Sequence, residues 1–195
     1  MQPVLLEPLI SALSIETEFF GSNISAPYEI IEICDFECRH SAALQPVLKK
    51  LRAALGDSAS WISIPFPSGN FKAKQTYGKA YCAAIKQNKA EQFKDTLFSC
   101  KPWLRSRNRE DDAGWALANV FKAADVCSLN IDIFEKDLYS DEIDNLYLRI
   151  LMGVGKVRVW ITPTLFINGY RIESALRCDA YREALRKIGP RKAGR

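Results

Sequence analysis

One short segment of the 195-residue chain concentrates side chains that could do chemistry, residues 34–41 (CDFECRHS). A cysteine becomes a nucleophile when its thiolate is stabilised, as happens at a helix N-terminus or beside positive charge. Cys38 precedes a predicted helix and is followed by Arg39 and by His40, the only histidine of the chain. These features predict that Cys38 is a reactive thiol rather than a small core residue, with Arg39 and His40 stabilising its charged form.

The elements on either side of this segment predict how Cys38 is positioned. The β-branched run at 28–34 (YEIIEIC) predicts a strand that is buried on both faces. An apolar stripe over 44–55 predicts a helix that is kinked by Pro46 and ended by Gly56. Cys38 therefore lies where a buried strand gives way to the start of a helix.

The order of the remaining elements predicts an α/β fold class. A strand, a helix and a strand are followed by a long helical stretch and then by two strands and a helix. We expect residues 1–70 and 157–195 to form the α/β core and residues 71–156 to form an all-helical insertion. The predicted elements after the first helix are strands at Trp61–Phe66, Val157–Trp160, Thr164–Ile167 and Tyr170–Ile172, helices between Phe71 and Lys156, and a helix at Asp179–Ile188.

Two further local signals complete this prediction. Asn168-Gly169 lies between two short apolar runs, which is the strongest two-residue hairpin signal in the chain. Residues Ile15 to Phe20 predict a short edge strand.

Three separated motifs resemble the DsbA-like thiol-disulfide oxidoreductases of the thioredoxin superfamily. Residues 28–51 (YEIIEICDFECRHSAALQPVLKKL) resemble the strand, active-site loop and kinked first helix of that family. Residues 162–169 (TPTLFING) are similar to its segment with a cis proline opposite the nucleophilic cysteine, and 93–98 (FKDTLF) resembles part of its helical insertion. The resemblance extends over about residues 26–188 and implies a thioredoxin fold with an inserted all-helical domain.

The function that this resemblance implies is thiol-disulfide exchange on protein or peptide thiols through Cys38. Pro163 would shape the groove for a substrate peptide, and Thr162 would offer main-chain groups to it. No metal or organic cofactor is implied, glutathione is a candidate co-substrate, and the redox partner is undefined. The resemblance also implies a periplasmic or other extracytoplasmic location. The N-terminus does not read as a signal peptide, so this interpretation expects the export segment to be absent from this chain. A cytoplasmic location is the alternative.

The chain departs from the family pattern at the motif itself, which reads Cys38-Arg39-His40-Ser41. In a CxxC pair the second thiol resolves the mixed disulfide formed by the first, and a serine cannot do so. We therefore expect a monothiol CxxS enzyme whose activity is reduced or isomerase-like. Cys34 is an alternative resolving thiol if a turn brings it to Cys38; the other interpretation is that Cys34 ends a buried strand as a core residue.

Other interpretations stay open from the sequence. The chain could be a kappa-type glutathione transferase-like enzyme that uses Ser41 or Cys38, or a redox-inert module that binds peptides. Glu32 is either a buried carboxylate that handles protons for the thiol or a strand-edge residue that reaches solvent. A structural disulfide between two of Cys100, Cys127 and Cys178 is an unassigned option.

Composition excludes several function classes. The 27 basic and 23 acidic residues give a net charge of +4 without a basic stripe, which argues against a nucleic-acid partner. A single histidine excludes zinc sites built on several histidines. No run of about 18 apolar residues is present, so no membrane span is predicted.

Overall fold

The computed structural model describes residues 17–20, 23, 25–67, 71–102, 112–172 and 177–191. The strands within these residues are β1 (Tyr28–Cys34), β2 (Ala59–Pro65), β3 (Thr164–Ile167) and β4 (Tyr170–Ile172). The helices are α1 (Arg39–Leu55), α2 (Phe71–Lys86), α3 (Ala90–Ser99), α4 (Asp112–Val126), α5 (Ile131–Leu138), α6 (Asp141–Lys156) and α7 (Cys178–Ile188).

The four strands form one mixed sheet in the order β2-β1-β3-β4. β1 pairs with β2 in parallel and with β3 antiparallel, so that β1 lies in the middle of the sheet. The predicted hairpin joins β3 to β4, with Asn168 at φ 48° and Gly169 at φ 82°, as a type I′ turn requires. The predicted α/β fold is confirmed as a thioredoxin fold with additional helices between β2 and β3.

Helices cover both faces of the sheet. Successive side chains of β1 point to opposite faces, so neighbouring residues pack against different helices. Ile30 packs against apolar residues of α1 and α7, including Leu48 and Leu185. Ile31 on the other face packs against residues of α2 and α6. Among the described residues, no helix has the length and apolar character needed to cross a membrane.

A second layer of core joins the helices α2 to α5 to one another. Phe93 of α3 and Phe134 of α5 are fully buried, and their rings lie 5.7 Å apart. The side chain of Asn130 accepts the Ile133 N–H and so caps α5. Phe36, from the loop after β1, belongs to the same core and connects the sheet to these helices.

The predicted strand at Val157–Trp160 is wrong. α6 continues to Lys156, and the chain then reverses through Arg158 at φ 53°, while the Val159 N–H donates to the carbonyl oxygen of Val154. Val157 and Val159 are buried beside α6 and the sheet without forming a strand. Their β-branched character reflects burial here rather than strand pairing.

The predicted edge strand at Ile15–Phe20 is also wrong where it can be compared. Thr17–Phe20 is a short 3₁₀ turn, and residues 15 and 16 lie outside the described residues. Phe19 and Phe20 pack edge to face, with ring centroids 5.3 Å apart, and both contact the core. Adjacent aromatic residues that face the same core favour a helical turn, because a strand would point them to opposite sides.

We expect Gly78→Ala to destabilise the protein. A Cβ at position 78 of α2 would overlap the ring of the buried Tyr147 on α6, so this ring or one of the two helices must shift. Overpacking of this kind costs about 1–3 kcal/mol of unfolding free energy, which urea denaturation measures.

Gly155→Ala in α6 is the matched control for this prediction. A Cβ at position 155 meets no atom within 4 Å, so the change should stabilise the helix by up to about 1 kcal/mol. Equal unfolding free energies for the two variants would contradict the packing described for Gly78.

Candidate active site

The loop between β1 and α1 is a tight turn that is held by Asp35. The Asp35 carboxylate accepts the Glu37 N–H at 2.9 Å, and the Asp35 carbonyl oxygen accepts the Cys38 N–H at 2.9 Å. Aspartate favours such turns because its short side chain bonds the backbone two residues further on. The turn ends at Cys38, which is the N-cap residue of α1.

Phe36 attaches this loop to the helices α2 and α3. Its buried ring packs against Tyr81 of α2 and Phe98 of α3, with ring centroids 5.6 Å and 5.1 Å apart. Sequence reasoning used Phe36 only as part of a motif and missed this packing role. A large apolar residue inside a polar loop is the signal that could have identified it.

The sulfur of Cys38 lies beside the loop that precedes β3. Cys38 is partly exposed as a free thiol, and its Sγ donates to the Thr162 carbonyl oxygen at 3.4 Å. The peptide bond between Thr162 and Pro163 is cis, and both residues are buried. The structure thus brings together Cys38, Thr162 and Pro163, which are separated by more than a hundred residues in the chain.

The other residues of the motif occupy different environments. Arg39 and His40 are exposed on the first turn of α1. Ser41 is fully buried, and its Oγ accepts the Asp35 N–H at 3.3 Å. Ser41 therefore supports the turn that holds Cys38.

A buried ion pair lies beneath α1. Glu32 of β1 and Lys94 of α3 are each 2% exposed, and the Lys94 Nζ lies 3.2 Å from the Glu32 Oε2. The Gln45 side chain donates to the Glu32 Oε1 at 2.6 Å and to the Ser41 carbonyl oxygen at 3.0 Å. Ser63 of β2 donates to the Glu32 carboxylate and accepts from Lys94 at 2.8 Å. Glu32 is therefore buried rather than solvent-reaching, and its role in handling protons for the thiol stays a prediction.

Sequence reasoning missed Lys94. Burial lowers the pKa of Lys94, but the carboxylates of Glu32 and Glu91 outweigh burial and raise that pKa above its usual value. Lys94 therefore carries its charge inside the protein. A lysine next to Phe93 and four residues before Phe98, on the apolar face of α3, is the signal that could have revealed it.

Buried cysteines near this site are unsuited to exchange chemistry. Burial raises the pKa of the Cys34 thiol well above its usual value, and it raises the pKa of Cys82 to about 12. Cys34 is 1% exposed, which confirms its interpretation as a core residue. The described residues contain no group of three or more His, Cys, Asp or Glu side chains that could hold a metal ion.

We expect Lys94→Met to destabilise the protein by about 3–5 kcal/mol, because it leaves the Glu32 carboxylate buried without its cation. Urea denaturation at neutral pH measures this loss. The double variant Glu32→Gln/Lys94→Met should recover most of it, since no unpaired buried charge remains.

Lys49→Met is the matched control for the buried ion pair. It removes a surface ion pair with Asp95, whose side chains are 57% and 30% exposed, and it should cost at most about 1 kcal/mol. Equal losses for Lys94→Met and Lys49→Met would contradict the buried character of the Glu32–Lys94 pair.

Similar folds occur among solved structures of other proteins. BdbD from Bacillus subtilis is 14% identical with a TM-score of 0.72, over 96% of this chain and 98% of that one. The thiol-disulfide exchange protein α-DsbA2 from Wolbachia pipientis is 15% identical with a TM-score of 0.69, over 93% and 96% of the two chains. A thioredoxin-like oxidoreductase from Silicibacter pomeroyi is 15% identical with a TM-score of 0.68, over 85% and 88%. At these identities the similarity shows the fold.

Sequence comparison provides the family. Two curated relatives are Na(+)/H(+) antiporters NhaA 1 from Mycolicibacterium gilvum and Mycolicibacterium vanbaalenii, each 23% identical over 173 residues, or 87% of this chain. The matched region is 26% of either antiporter, so the chain spans about a quarter of the length of these relatives. Residues 15–187 match the sequence profile described as thioredoxin. The chain therefore belongs to the thioredoxin family.

Proposed function

We propose that this protein carries out thiol-disulfide exchange on protein or peptide substrates through Cys38. The observation that carries the proposal is the position of its sulfur, which is partly exposed at the N-terminus of α1 and 3.4 Å from the Thr162 carbonyl oxygen. Proteins commonly place reactive thiols at the N-terminus of a helix, where N–H groups and the helix dipole attract negative charge. The similarity to the structure of the thiol-disulfide exchange protein α-DsbA2 supports the same reaction.

The proposed reaction conserves atoms and electrons. The Cys38 thiolate attacks one sulfur of a substrate disulfide, forms a mixed disulfide, and expels the other sulfur as a thiolate. A second thiol then attacks the mixed disulfide, releases Cys38 and carries the substrate sulfur away in a new disulfide. One disulfide is broken for each disulfide formed, so the cycle is an exchange.

Each residue of the site has a proposed role in this cycle. Arg39 and His40, exposed beside Cys38, stabilise its thiolate by their charge and their N–H donors. The main-chain groups of Thr162 pair with an extended substrate peptide, and Pro163 shapes the groove.

The surface next to this groove favours apolar substrate segments. Trp160 and Ile161, immediately before Thr162, are 69% and 68% exposed. Large apolar side chains at such exposure gain free energy when a partner covers them. We propose that substrates carry apolar residues near the reacting cysteine.

Ser41 determines how the mixed disulfide is released. It offers no sulfur to displace the substrate, and Cys34 is buried with a raised pKa, so release requires an external thiol or the substrate's own second cysteine. Glutathione is the proposed co-substrate for that step. The burial of Ser41 also weighs against a transferase in which its hydroxyl activates glutathione.

The proposed reaction also suggests a compartment. Substrate disulfides persist in oxidising surroundings such as the periplasm or the cell exterior. We propose an extracytoplasmic location on this ground.

Cys38→Ala should abolish exchange, because the proposed nucleophile is gone while the groove remains. The measurement is the rate at which the protein catalyses exchange between a peptide disulfide and glutathione, compared with the uncatalysed rate. Cys178→Ala is the control, since Cys178 begins α7, and this variant should keep full activity. Activity retained in Cys38→Ala would remove the case for this site.

Ser41→Cys should create an internal disulfide with Cys38, because it restores a sulfur one helical turn away at a buried position. The variant should oxidise a reduced dithiol peptide in repeated turnovers without glutathione. Ser41→Ala is the control, since it also removes the hydroxyl that accepts the Asp35 N–H but adds no sulfur.

The comparison with the unmodified protein decides the role of Ser41. If the unmodified protein already oxidises many equivalents of dithiol peptide without an added thiol, another cysteine resolves Cys38, and the monothiol mechanism is wrong.

A further inference from the structure

We propose that Cys100 and Cys127 form a second redox site, a dithiol that closes to a disulfide between the ends of α3 and α4. The Sγ of Cys127 donates to the Thr96 Oγ1 at 3.5 Å. Cys100 lies four residues after Thr96, and its N–H donates to the Thr96 carbonyl oxygen at 3.0 Å. Side chains at such spacing lie on one helix face with their Cβ atoms about 5–6 Å apart. The Cys127 sulfur therefore lies on the face of α3 that carries Cys100.

Cys100 and Cys127 each lie where a helix ends. Cys100 caps α3 with helical dihedral angles of φ −69° and ψ −10°. Cys127 ends the last turn of α4 and precedes Ser128, which reverses the chain at φ 53°. Both cysteines are free thiols at helix ends, and the proposed bond requires their sulfurs to approach to about 2.05 Å.

The two thiols differ in access. Cys100 is partly exposed, whereas Cys127 is fully buried. Burial raises the pKa of Cys100, the Lys122 ammonium lowers it, and a charge on Cys127 raises it further, as expected for neighbouring groups. Cys100 is therefore the sulfur that meets an oxidant, and Cys127 is the sulfur that completes the bond.

The oxidant is a low-molecular-weight disulfide such as glutathione disulfide. The Cys100 thiolate attacks one of its sulfurs, forms a mixed disulfide and releases one glutathione thiolate. The Cys127 thiolate then attacks the Cys100 sulfur and displaces the second glutathione thiolate. Two protein thiols lose two electrons and two protons, and one disulfide becomes two glutathione thiols.

The location of the bond connects it to the active-site loop. Phe98, two residues before Cys100, packs against Phe36 with ring centroids 5.1 Å apart. A bond at Cys100 would link the end of α3 to the end of α4. It would thereby restrict the movement of Phe98, against which Phe36 packs. The site itself does not use Cys38, so its formation is independent of the proposed exchange reaction.

The test is peptide mapping of the whole chain after equilibration with glutathione disulfide and quenching by alkylation. We expect a peptide that links Cys100 to Cys127, reversed by dithiothreitol, and a thermal midpoint about 5 °C or more above that of the reduced protein. The same linked peptide should form in Cys38→Ala, which separates this result from failure of the exchange reaction.

Matched variants complete the test. Cys127→Ser should leave a stable glutathione adduct on Cys100 and no linked peptide, whereas Cys178→Ser should still form the link. An unlinked glutathione adduct on Cys100 in the unmodified protein, no reaction at Cys100, or a bond from Cys100 to another cysteine would overturn the proposal.

Discussion

The antiparallel pairing of β1 with β3 is the constraint on which the site depends. Ile33 near the end of β1 is paired with Thr164 at the start of β3. The loop that leaves β1 and the loop that enters β3 therefore emerge at the same edge of the sheet. This pairing explains why the Cys38 sulfur reaches the Thr162 carbonyl oxygen although the helices α2 to α6 separate them in the chain.

The additional helices are attached to that edge by two contacts of different kinds. Phe36, in the loop between β1 and α1, inserts its aromatic ring between α2 and α3. Lys94 extends from α3 to Glu32 in the central strand, where Gln45 and Ser63 complete the polar contacts. A buried ion pair gains little stability over an apolar pair, but it strongly disfavours arrangements that leave one charge alone. The Glu32–Lys94 pair therefore fixes where α3 lies against the sheet.

The parts of the fold that follow from local patterns could be predicted from the sequence. The buried run of β1, the apolar stripe of α1 and the Asn168-Gly169 turn each carry their own signal and lie where predicted. The strand predicted at Val157–Trp160 failed because alternating buried valines also fit the turn after a helix. Lys94 was missed because the partner that makes its burial tolerable, Glu32, is 62 residues away in the chain.

The site could be predicted in part for the same reason. Cys38 at a helix start follows from the residues around it, whereas the support that Ser41 and Gln45 give to the loop depends on the tertiary fold. The spacing of the motif shows the position of Ser41 in the helix. It does not show that Ser41 is buried or that it makes a structural contact.

Intact mass and peptide mapping of the unmodified protein with an excess of a cysteine-peptide disulfide test the central claim most directly. The account predicts a single peptide adduct, located on Cys38, that persists until glutathione is added and then disappears as glutathionylated peptide forms. An adduct located on another cysteine, or the absence of any adduct at Cys38, would contradict it.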